Sequence, residues 1–210
     1  MIDLIKIIEN LSSTRPIFHS EADFQHALAW KIHEQVQDCA IRLEYKPPHL
    51  IRRYYVDIWC FREGFVTVIE LKYKTRRLHV NVRGEIFDLL NQSAQDIGRY
   101  DFLKDIQRLE EVGLNKSNYE GYGIFLTNDS AYWDFPRDDQ TVDAKFRIHE
   151  GRTLSGKLNW KLSTSEGTMQ HRKETIHIKN VYSLKWRDYA EPSAGTYGQF
   201  RYLLVKTKDK

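Results

Sequence analysis

The amino-acid sequence predicts an α/β fold, a mixed β-sheet flanked by helices, and three observations lead there. Apolar residues recur at helical spacing over residues 1–37, alternate as strands over 41–73, and return to helix-then-strand spacing before a run of late strands. No repeat, low-complexity tract or linker divides the chain, so one domain over residues 1–210 is expected, a usual size for one core. With 41% hydrophobic and 13% aromatic residues the chain can bury that core. Its 32 Lys and Arg against 29 Asp and Glu leave a net charge of +3, which excludes a disordered polyelectrolyte.

Ile2, Leu4, Ile5, Ile7, Ile8 and Leu11 give the first helix its apolar spacing. Asp3, Lys6, Glu9 and Asn10 lie among them, unlike a secretory signal. Ser20 stands at an N-cap position with Asp23 three residues on, and Phe24, Leu28 and Ile32 stripe the helix that runs to about Gln37. Residues 41–45 alternate as a strand, stopped by Pro47 and Pro48. Two β-rich runs, Tyr54 to Phe61 and Phe65 to Tyr73, flank Arg62, Glu63 and Gly64, which spells a hairpin. Helical spacing is expected from Gly84 to about Val112, and a buried strand over 121–127. Beyond it lie loops around short strands, then closing strands over 181–189 and 199–206. No run reaches the roughly 18 apolar residues of a membrane helix, and two cysteines are too few for a disulfide scaffold or a four-ligand zinc site. A cytoplasmic protein is the expectation.

The chemistry concentrates on the hairpin. Strand alternation puts Val66, Val68, Glu70 and Lys72 on one face. If Phe61 pairs with Val66, Asp57 comes opposite Glu70. Two carboxylates and an amine then share a patch inside an apolar sheet. Unpaired carboxylates are costly there, and two of them raise each other's pKa. A hard divalent ion, Mg²⁺ or Mn²⁺, held by Asp57, Glu70 and the Leu71 carbonyl would relieve both. Lys72 could orient or deprotonate a water, or offset charge on a phosphoryl group. An ordinary surface ion pair is the simpler reading of an isolated Glu-x-Lys; the apolar setting argues for a site.

Val56-Asp57, twelve intervening residues and Glu70-Leu71-Lys72 resemble the PD-(D/E)xK nuclease superfamily, with valine where its motif has proline. The element order over about 18–128 is similar to that superfamily's αβββαβ core. The resemblance implies a restriction-endonuclease-like fold, and the loops and closing strands read over 129–210 would be C-terminal β additions to it. It implies Asp57 and Glu70 as metal ligands, Lys72 as catalytic lysine and a role for Glu21 on the preceding helix. Glu21 could equally serve the helix dipole, and Gln25, four residues on, shares its face. Gln92 and Gln95, read on the following helix, could reach metal or phosphate.

Lys74, Arg76 and Arg77, leading out of the lysine-bearing strand, form the densest basic stretch, suited to phosphates of a nucleic acid. Arg52 and Arg53, and His171 to Lys173, are weaker candidates. Asp101, Lys104, Asp105, Arg108, Glu110 and Glu111 read as an exposed charged helix face. Trp133, Trp160 and Trp186 read as core, and His19, His26 and His33 as packing or surface residues. The expected activity is metal-dependent hydrolysis of nucleic acid, DNA ahead of RNA, with a homodimer or helper chain as a possible aid. The rivals are a non-cleaving nucleic-acid-binding module on the same fold and a buried ion network with a structural purpose.

Overall fold

The computed structural model describes residues 2–47, 54–114 and 116–207, so Arg52 and Arg53 lie outside the described residues. In chain order the elements are α1 (Leu4–Thr14), α2 (Glu21–Gln35), β1 (Ala40–Tyr45), β2 (Val56–Arg62), β3 (Phe65–Lys74), β4 (Leu78–Val82) and β5 (Glu85–Leu89). Then follow α3 (Gln95–Val112), β6 (Tyr119–Thr127), β7 (Thr153–Leu158), β8 (Ile176–Ser183), β9 (Trp186–Ala190) and β10 (Phe200–Thr207). The protein is a mixed α/β fold. Its six-stranded sheet runs β1-β2-β3-β6-β10-β9, and β4-β5 and β7-β8 form separate hairpins. β3 and β6 are parallel and the other sheet neighbours antiparallel.

Local signals set the helices. The Ser20 hydroxyl accepts from the Asp23 N–H (3.1 Å) and starts α2. Asp3 does the same for α1 through the Lys6 N–H (3.1 Å). Both helices pack on one face of the sheet, where Leu4, Ile8, Phe24, Leu28 and Ile32 meet Ile58, Ile69 and Leu71. α3 covers the other face with Phe102, Leu103, Ile106 and Leu109 against Val68 and Phe125. All of β6 is buried between these layers. A Cβ at Gly123, beside Glu70 in the sheet, would collide with Ile106 and Phe102, so glycine there lets α3 close onto β3.

Two expectations are corrected. Residues 84–94 are not helical. Arg83 and Gly84 take φ values of 55° and 91°, as a two-residue hairpin turn needs, and β4-β5 folds about them. Over β5 the burial has period two, with Phe87 and Leu89 buried and Ile86 and Leu90 exposed; that alternation was masked by the helical spacing of Ile86, Leu89 and Leu90. The strand expected over 181–189 is divided between β8, paired with β7, and β9, paired with β10. Trp133 and Trp186 are buried and Trp160 packs against the α3-side core, as read from sequence. Among the described residues no helix is long and apolar enough to cross a membrane.

Candidate active site

The hairpin register is the expected one, with Phe61 opposite Val66, and the ladder continues to Ile58 opposite Ile69. There β2 and β3 part. Beyond that point β3 has lost its β2 partner, and two N–H groups on that edge are taken by carboxylates. Leu71 N–H donates to Asp57 Oδ2 (2.6 Å) and Tyr73 N–H to Glu21 Oε2 (2.6 Å). Asp57 is thus not simply opposite Glu70; its side chain reaches across the split to the next residue.

Gln25, buried on α2, ties β1 and β2 together where the β2-β3 ladder ends. Its amide donates to the Asp57 carbonyl (2.7 Å) and to Glu44 Oε1 (2.9 Å). Glu44 has φ 48°, a left-handed kink in β1 where its register with β2 skips a residue. Glu21 and Gln25 share one helix face, as their spacing predicts, and both face the split.

On the α3 side of the same strand lie Glu70 and Lys72. Glu70 is 4% exposed and accepts from the Tyr54 hydroxyl. Lys72 Nζ forms an ion pair with Asp105 Oδ2 (2.7 Å) and donates to the Leu71 carbonyl (3.0 Å). Arg108 holds the other Asp105 oxygen (2.8 Å), and its guanidinium lies 5.0 Å from the Tyr54 ring centre. Burial, then the carboxylates of Asp105 and Asp57, push the Glu70 carboxyl well above its usual range. Burial also lifts Asp57 to about 6, though Lys72 and the Leu71 N–H oppose it. Burial draws Lys72 down, but Asp105, Glu21 and Asp57 outweigh it and hold the ammonium above its usual value.

Asp105 and Glu110 correct the exposed-face reading of α3. Both are buried, at 3% and 6% exposure. Glu110 accepts from the Lys179 and Asn180 N–H groups and the Tyr182 hydroxyl, pinning β8 to α3. Asp105 was legible in principle: Gly98, Phe102, Asp105, Leu109 and Val112 form one stripe, and a carboxylate inside an apolar stripe needs a partner. Tyr54 carried no comparable signal.

The expected phosphate-binding residues divide. Arg77 is exposed in the connection between β3 and β4, and Lys74 is partly exposed on the Glu70 and Lys72 face. Arg76 donates through its backbone N–H to Asn128 Oδ1 (2.7 Å), while its guanidinium rests 5.0 Å from the Tyr197 ring centre and reaches that hydroxyl (3.1 Å). Gln92 is not on a helix. It lies in the loop before α3 and accepts from Thr75 N–H (2.9 Å), fastening that loop to β3. Gln95 opens α3 and donates to Asp129 Oδ2 (2.8 Å). Both glutamines are thus engaged in holding the rim. His19 stacks on Phe87 (4.3 Å) and meets Glu85 (2.9 Å).

The donor set suits a hard divalent cation. Glu70 is a buried carboxylate and Asp57 a half-buried one whose charge disfavours that of Glu70, and the Leu71 carbonyl is within reach of Lys72 beside them. Among the described residues no three His, Cys, Asp or Glu side chains group closely enough to hold an ion by themselves. The protein's share would be two carboxylates and one carbonyl, with water completing the shell. Compared with known proteins, the chain matches no family model, no curated protein and no solved structure.

Proposed function

We propose that this protein is a metal-dependent phosphodiesterase of nucleic acid, DNA ahead of RNA, on a restriction-endonuclease-like core made by α2, β1, β2, β3, α3 and β6. The observation that carries the reading is the meeting of Asp57, Glu70, Lys72 and Glu21 where β2 leaves β3, inside an otherwise apolar sheet. The PD-(D/E)xK pattern adds to it, and the order α-β-β-β-α-β is kept with the β4-β5 hairpin inserted.

Mg²⁺ or Mn²⁺, when bound, would supply a Lewis acid for the scissile phosphate and a water of lowered pKa. Asp57, Glu70 and the Leu71 carbonyl would hold it. Lys72, kept charged by the carboxylates around it, would steady negative charge gathering on the phosphoryl oxygens. Glu21 and Gln25 hold the split open: one carries the Tyr73 N–H that β2 no longer reaches, the other fixes the Asp57 backbone. Arg77 and Lys74 would bind flanking phosphates.

One observation favours a second reading, a binding module that does not cut: the Lys72 ammonium is held by Asp105 and the Leu71 carbonyl. The two are separated by incubating the parent and Glu70→Gln with supercoiled plasmid, single-stranded DNA and RNA in EDTA, Mg²⁺ or Mn²⁺. Metal-dependent cuts absent from the variant support the enzyme. Retained affinity with no cuts under any metal selects the binding module.

A further inference from the structure

We infer that the α3-side face of β1 and β2 is a stacking platform for single-stranded nucleic acid, which delivers one strand to the Asp57–Glu70–Lys72 cluster. This rests on the reading of the cluster as a nucleic-acid site and names the form of its substrate.

α3 packs on β3, β6 and β10. Toward the β1 end of the sheet, the same face carries aromatic rings that are only partly covered. Tyr45 and Trp59 lie ring against ring, 4.8 Å between centres and tilted by 40°. Phe61, two residues beyond Trp59 on the same side of β2, is 47% exposed. Tyr45 reaches this face through the kink at Glu44. Regular alternation would group it with Ile41 and Leu43, whereas φ 48° at Glu44 turns it toward Trp59. The Gln25 amide on Glu44 and on the Asp57 carbonyl therefore fixes the platform and the metal-ligand candidate together.

Cations border the rings. Arg42 is the exposed cross-strand neighbour of Trp59, Lys116 Nζ lies 5.6 Å from the Trp59 ring centre, and Arg108 covers the Tyr54 ring with its side chain 41% exposed. Rings interleaved with cations match the chemistry of unpaired bases joined by phosphates: each base offers a π-face whatever its identity, and each phosphate a charge. A paired duplex keeps its base faces inside the stack and leaves such rings unused.

The platform is continuous with the cluster. Trp59 pairs with Val68, which shares its strand face with Glu70 and Lys72. Trp59 stands two positions along β2 from Asp57, about 7 Å along a strand. A base resting on Trp59 would set a neighbouring phosphodiester at the carboxylates.

The test measures binding in EDTA, where no metal-dependent cut occurs. Fluorescence anisotropy of a labelled oligothymidylate and of a hairpin duplex of equal length is recorded for the parent, Trp59→Ala and Trp59→Phe, each checked by circular dichroism. The parent should prefer the single strand. Trp59→Ala should weaken that binding about ten-fold or more, while Trp59→Phe, which keeps a ring, should stay within a few-fold of the parent. Equal or tighter binding of duplex, no binding of either probe, or parental affinity in a folded Trp59→Ala protein would overturn the platform. Cleavage assays on the same proteins keep the two ideas apart. Cutting that survives Trp59→Ala undiminished leaves the nuclease standing without its platform. Trp59-dependent binding by a parent that cuts nothing leaves the platform without the nuclease.

Discussion

Lys72 is the cation on which the buried carboxylates depend, so replacing it with methionine should expose their cost. Its side chain is 17% exposed and that of Asp105 is 4% exposed, with 2.7 Å between charges. Removing one member of such a buried pair costs about 3–5 kcal/mol, because the other charge stays behind without compensation. Asp105 keeps Arg108 at 2.8 Å, so the low end applies, about 3 kcal/mol. In a chain of this size that lowers the melting temperature by roughly 6–12 °C. Methionine retains the alkyl stem, which keeps lost packing out of the comparison. A second substitution, Asp105→Leu, takes away the stranded charge and should restore about 2 kcal/mol of the loss. Urea titrations of the parent, both single variants and the double variant at pH 7.5 give the cycle. A Lys72→Met protein within 0.5 kcal/mol of the parent, or a double variant no more stable than Lys72→Met, would refute the coupling.

Asp57 sets a dependence on pH. Its carboxyl lies at about 6 in the fold against an ordinary 3.8, so between those values the folded chain holds a proton that the unfolded chain has lost. The stabilisation is full below about pH 4 and is lost as pH rises through 6, about 3 kcal/mol in all. Measured against Asp57→Asn, parental stability should fall across that window, and Mg²⁺ should reduce the fall; a constant difference between the two proteins would contradict this. Gln25→Leu breaks two hydrogen bonds and should cost about 2 kcal/mol. It should also weaken Mn²⁺ binding by about ten-fold, since Asp57 loses its backbone support, as calorimetric titration would report. Arg77→Ala should lower nucleic-acid affinity and reduce the slope of log K against log salt by about 1. Gln92→Ala should leave that slope unchanged, because its side chain carbonyl is held by Thr75.

The sequence was most informative where a pattern was local. The Ser20 cap, the turn at Glu63 and Gly64 and the alternation along β3 lie within a few residues each, and they predicted α2, the β2-β3 hairpin and the common face of Glu70 and Lys72. The β4-β5 hairpin is hidden in the sequence because Ile86, Leu89 and Leu90 satisfy helical spacing, and Arg83-Gly84 is a less familiar turn pair than Asn-Gly. Asp105 and Glu110 look solvated from the sequence because charge usually is. Their partners, Lys72 and the β8 backbone, stand 33 and 69 or more residues away in the chain and became neighbours only on folding. The split between β2 and β3 was equally hidden, since it depends on Gln25 reaching two strands at once. The fold was therefore legible by element, and the candidate site by its strand residues but not by the helix residues that close it.

If these side chains cut nucleic acid with the help of a metal, the cut should need both the metal and Glu70. The most direct measurement is single-turnover cleavage of an end-labelled DNA by the parent and by a Glu70→Gln protein of matched circular dichroism, with Mg²⁺ or Mn²⁺ added to metal-free stocks. Discrete products should come from the parent on adding metal, stop with EDTA and be absent from the variant. Intact DNA with the parent under both metals, or equal cleavage by Glu70→Gln, would contradict it.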